Sequence, residues 1–100
     1  MVTDLFSDRE ALAALCRRRH IRRLSLFGST AKGTQRPDSD VDLLVEFESG
    51  REPGLLALAA IAEELSSLVE GRTVDLRTAD DLSRHFRSEV IAAAQVQYAA

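Results

Sequence analysis

Residues 24–48 read LSLFGSTAKGTQRPDSDVDLLVEFE, and the fold turns on how this stretch is parsed. Extended upstream to Ile21, its start is an apolar run over 21–27, short enough for a strand and stopped by the turn signal Gly28-Ser29. A short helix is predicted over 30–33, and Gln35-Arg36-Pro37-Asp38 reads as a loop. A second strand follows over 41–47. Val41, Leu43 and Val45 share one of its faces and Leu44 lies on the other, so this strand is expected to be buried on both sides over part of its length and central in a sheet. If Gly28-Ser29 is to meet Asp40, the two strands must run antiparallel.

Working outward from that pair, Ser7 with Glu10 reads as a capping box. Leu12, Leu15 and Cys16 follow at helical spacing, which predicts a first helix over about 8–19. Its basic end, Arg17 to Arg19, complements the helix dipole; the alternative is a partner-facing patch continued by Arg22 and Arg23. Downstream, a loop over 50–54 precedes a long helix over about 55–70, with Leu58, Ile61, Leu65 and Leu68 as its core stripe and Gly71 as its stop. A third strand over 73–77 should lie parallel to the second, because the helix returns the chain. Thr78 with Asp81 caps a short turn, and Phe86, Val90 and Ala94 predict a last helix before a tail containing Tyr98. The expectation is an α/β fold, a mixed sheet of about three strands packed with helices, in a single domain over 1–100.

The composition bounds the function. A chain of 100 residues that is 45% hydrophobic and 29% charged is neither disordered nor fibrous. Thirteen basic against sixteen acidic residues, a net charge of -3, argue against a surface that tracks nucleic-acid phosphate. The single cysteine, Cys16, allows no intrachain disulfide and suits a reducing compartment. The first ten residues carry acids where a secretory signal carries a basic start, and no apolar stretch approaches the ~20 residues of a membrane helix. A cytoplasmic protein with no membrane partner is expected.

Asp40 and Asp42, two apart on a strand, leave the same face, with Cα atoms roughly 6.6 Å apart at ~3.3 Å per residue. Asp75 would lie beside them if the third strand pairs with the second. Three carboxylates so gathered repel one another, and protein cations relieve that only by reaching in from elsewhere. A divalent ion is the simpler partner, and an oxygen donor set without nearby His or Cys favours Mg²⁺ or Mn²⁺ over zinc. The spacing suits two ions ~3.5 to 4 Å apart, the arrangement that clamps attacking and leaving oxygens in nucleotidyl transfer. Gly28 permits close backbone approach, and a helix starting at Ser29 would aim free N–H groups at phosphate oxygens. Lys32 and Arg36 are further candidates for a triphosphate. His20 and His85 have no second His at a ligand spacing, Cys16 reads as core, and Glu46 and Glu48 read as solvated, although Glu46 shares the parity of the two aspartates.

Gly28-Ser29, then Asp40-Val41-Asp42, a strand, a helix and Asp75 within GRTVDL resemble the signature of the polymerase-beta-like nucleotidyltransferase superfamily, and within it the minimal nucleotidyltransferase (MNT) family, over nearly the whole chain. Members of that family are typically antitoxins paired with HEPN-domain ribonuclease toxins. The resemblance implies transfer of AMP from ATP to a tyrosine near the toxin's active site. It implies that Asp40 and Asp42 hold both of two Mg²⁺ ions, that Asp75 holds the catalytic ion and helps deprotonate the acceptor, and that Gly28 and Ser29 bind the triphosphate. Lys32 stands where the family usually has Arg, keeping the charge and losing the bidentate fork. The alternative is an antitoxin that neutralises its toxin by binding alone.

Overall fold

The computed structural model describes residues 6–27, 40–78 and 94–100. In chain order the elements are helix α1 (Arg9–Arg18), strands β1 (Ile21–Leu26) and β2 (Val41–Phe47), helix α2 (Leu55–Ser67), and strands β3 (Val74–Thr78) and β4 (Gln95–Ala99). The strands form one mixed sheet in the order β3-β2-β1-β4. β1 is antiparallel to both of its neighbours, whereas β3 runs parallel to β2, as a βαβ crossover through α2 requires.

The alternation of β2 separates two faces. Val41, Leu43, Val45 and Phe47 join the core, against Leu12, Leu15 and Cys16 of α1 and Ile61 and Leu65 of α2, so both helices cover the same face. On β1, Leu24 and Leu26 pair with Val45 and Leu43 and point the same way. Asp42, Leu44 and Glu46 leave the opposite face, where Ser25 pairs with Leu44 and both are buried. Leu44 therefore makes β2 buried on both sides, and pairing on both edges makes it central, as its sequence predicts.

Two elements differ from expectation. The N-cap of α1 is Asp8 and not Ser7: its carboxylate accepts from the Ala11 N–H at 3.0 Å, the capping that an acid one position later supplies as well as a serine would. The sheet has four strands where about three were expected, because the segment read as a tail, with Tyr98, pairs with β1. The rest of the predicted last helix, like the predicted short helix over 30–33, lies outside the described residues. The α2 stripe shifts at its end: Ile61, Leu65 and Val69 are buried, with Leu58 and Leu68 packed partly buried against them.

The basic run is internally engaged. Arg18 and Arg19 both grip Glu64 of α2, tying the two helices together. A bulge between Ile21 and Arg23 makes Arg22 the extra residue of β1, so that consecutive arginines both reach Glu46, at 3.0 and 3.2 Å. Glu46, read as solvated, is thus a paired residue of the sheet's second face. Among the described residues no helix is long and apolar enough to cross a membrane.

Candidate active site

The site is assembled where β1 ends and β2 and β3 begin. Phe27, the last described residue before Gly28, donates its N–H to the Asp42 carbonyl at 3.1 Å. On the other side of β2, the Val41 N–H donates to the Thr73 carbonyl at 2.8 Å, which locks the parallel register. That register sets Asp42 directly beside Asp75. Neighbouring strands lie ~4.8 Å apart, so the two carboxylates project side by side from one face. Asp40 sits exposed immediately ahead of β2.

The turn from α2 into β3 makes this alignment possible. After Leu68 the chain passes through two left-handed residues, Glu70 (φ 59°) and Gly71 (φ 77°), and the Gly71 N–H returns to the Ser66 carbonyl at 2.9 Å. The Ser66 hydroxyl caps the Arg72 carbonyl at 2.6 Å, and β3 begins two residues later.

Electrostatically the site is loaded. The Asp42 carboxyl is held above the usual aspartate range, first by burial, then by the charges of Asp75 and Asp40, with Arg77 pulling it back. Sequence reasoning expected relief only from a cation reaching in from elsewhere, and it overlooked Arg77. This arginine lies two residues past Asp75 on the same strand and face, and its Nε donates to Asp75 Oδ1 at 3.0 Å. The signal was present as the same-parity pair in Asp75-Leu76-Arg77.

The donor set suits a divalent cation: all oxygen, two carboxylates in adjacent register, and a field around Asp42 that favours added positive charge. Among the described residues no three His, Cys, Asp or Glu form a group that could hold an ion, and Asp75 is engaged by Arg77. The carboxylates fit a metal in charge and donor chemistry, with Arg77 in attendance. Gly28, Ser29, Lys32, Arg36 and His85 lie outside the described residues. His20 is at the far end of the β1–β2 pair, its carbonyl accepting from the Glu48 N–H. Cys16 is buried in the core as expected, its thiol pushed up to about 12, mainly by that burial.

The sequence pattern of the nucleotidyltransferase domain matches residues 8–96, from the N-cap of α1 to the start of β4. This chain belongs to the nucleotidyltransferase domain family. Its layout is that of the minimal nucleotidyltransferases, and it is an enzyme of that transferase class. A protein of Methanocaldococcus jannaschii assigned as a protein adenylyltransferase is 34% identical over 71 residues, 71% of this chain and 73% of that one. A solved structure assigned as a minimal nucleotidyltransferase superposes with a TM-score of 0.70 at 42% identity, covering 86% of this chain and 85% of the other. The fold also recurs, at 19% identity and a TM-score of 0.63, in a complex of a tri-AMPylated HEPN toxin of Shewanella oneidensis with its MNT antitoxin, covering 92% of this chain and 70% of that one.

Proposed function

We propose that this enzyme is an antitoxin that transfers AMP from ATP to a tyrosine of a cognate HEPN-domain toxin, with Mg²⁺ held by Asp40, Asp42 and Asp75. The observation that carries the reading is the in-register pair Asp42 and Asp75 with Asp40 at its mouth, a costly accumulation of negative charge on one face of two parallel strands. A surface that merely covered a partner would have no use for it.

In this reaction the acceptor hydroxyl oxygen bonds to the α-phosphorus, the bond from that phosphorus to the β-phosphate bridging oxygen breaks, and pyrophosphate leaves. Bound divalent cations supply charge neutralisation for the triphosphate and for the attacking and leaving oxygens. Asp40 and Asp42 would hold both cations, while Asp75 would hold the catalytic one and help take the acceptor's proton. Gly28, Ser29 and Lys32, on the strength of the motif they belong to, would bind the triphosphate. The named relatives support this assignment of substrate and partner, one by its assignment as a protein adenylyltransferase and one by the modified toxin beside its antitoxin.

The test is incubation with Mg²⁺, the cognate toxin and ATP labelled at either the α- or the γ-phosphate. Covalent label on the toxin from α-labelled ATP alone, lost in Asp42→Asn, is expected. Label from the γ-phosphate would make the enzyme a kinase, and absence of label with toxin still neutralised would replace catalysis by binding.

A further inference from the structure

The acidic pair comes with its own counter-ion. Arg77 shares the face of Asp75, lies in register with Leu44 directly beyond Asp42, and donates Nε–H to Asp75 Oδ1 at 3.0 Å. The other arginines of known pairing are committed elsewhere, Arg18 and Arg19 to Glu64, Arg22 and Arg23 to Glu46. The Arg77 and Asp75 side chains are 50% and 37% exposed, so their ion pair is open to solvent and to an incoming cation.

We propose that Arg77 is a displaceable counter-ion: it holds the Asp75 carboxylate in the metal-free enzyme, must release it for a divalent cation to bind, and so sets how tightly the enzyme takes metal. This rests on the metal site read above at the three aspartates. An oxygen engaged by a guanidinium N–H is a poorer ligand, and a cation arriving beside a second positive charge meets repulsion; both effects weaken metal binding. In return, Arg77 offsets the repulsion among the carboxylates while no metal is present. An exposed pair is weak, so the affinity at stake is roughly twofold to fivefold, enough to tune loading without blocking it.

The experiment is Mn²⁺ titration of the full chain without nucleotide, with free Mn²⁺ followed by electron paramagnetic resonance and thermal unfolding measured with and without the metal. Wild type is compared with Arg77→Gln, Arg77→Lys, Asp42→Asn and Arg17→Gln, the last removing an exposed positive charge of α1. Arg77→Gln is expected to bind Mn²⁺ about twofold to fivefold more tightly, to unfold at a lower temperature when metal-free, and to gain more from metal. Arg77→Lys should stay nearer to wild type, and Arg17→Gln should match it. Unchanged or weaker binding by Arg77→Gln, with Asp42→Asn still deficient, overturns the counter-ion role and leaves the metal site standing. Equal tightening in Arg17→Gln also overturns it, in favour of net charge. Wild-type binding that Asp42→Asn does not diminish overturns both the metal site and this inference.

Discussion

At Asp42 the fold carries an electrostatic cost, which the proposed metal site would explain. Its carboxyl is raised by burial and by Asp75 and Asp40, so the folded state binds a proton there more readily than the unfolded chain does. Stability from this group therefore falls as pH rises from the ordinary aspartate range through the raised value. Asp42→Asn should remove that slope, leave the metal-free protein as stable at pH 7 or more so, and abolish transfer; thermal unfolding across pH beside a labelling assay checks all three. Cys16 gives a second expectation at this scale. Burial holds its thiol at about 12, so thiolate is scarce and access poor. A thiol reagent at pH 8 should label it at the rate at which the protein opens, and labelling as fast as in an unfolded control would contradict its core position.

Between α2 and β3, the Glu70-Gly71 turn places Asp75. Gly71 has φ 77° and its added Cβ would meet no atom within 4 Å, so Gly71→Ala tests backbone strain alone. A loss of about 1 to 2 kcal/mol is expected, read by urea unfolding, without an overpacking effect. At the start of α1, Asp8→Ala should cost about 1 kcal/mol by orphaning the Ala11 N–H, while Ser7→Ala should change little. These elements also show what was legible in the chain. β2 could be read without error because its alternation, its flanking Gly and Pro signals and its length all agree. Asp42 and Asp75 could be placed in register because parity and a return helix suffice to predict parallel pairing. The strand β4 could not: QVQYA puts Val96 out at 52% exposure and Gln97 inside at 8%, since the bulge at Gln97 inverts the pattern that periodicity relies on. Arg77 is not evident from spacing alone, because a same-strand arginine two residues from an aspartate commonly points to solvent, and only the fold shows that it turns back to Asp75.

At the scale of the whole molecule, Glu64 links the two helices that cover the sheet. Arg19 and then Arg18, by hydrogen bonds to its carboxylate, hold it below the usual glutamate range. A depressed carboxyl contributes stability that is complete above its unfolded value and disappears as pH falls through the lower folded one. Glu64→Gln should therefore flatten the acid limb of the stability curve below about pH 4.5 and leave neutral stability slightly reduced, measured by urea midpoints at several pH values. The mixed sheet has a further consequence, in the order of assembly. The β1–β2 pair is a local antiparallel contact, but Asp42 and Asp75 meet only after the entire α2 segment has been made and docked. Loop closure over that span is slow relative to hairpin formation. A nascent or partly refolded chain thus holds only half of the acidic pair, and on the proposed reading catalytic competence is a late event that reports completion of the fold. In refolding from urea, recovery of transfer activity should lag the return of β-sheet signal, and a lag of zero would mean that the crossover closes first.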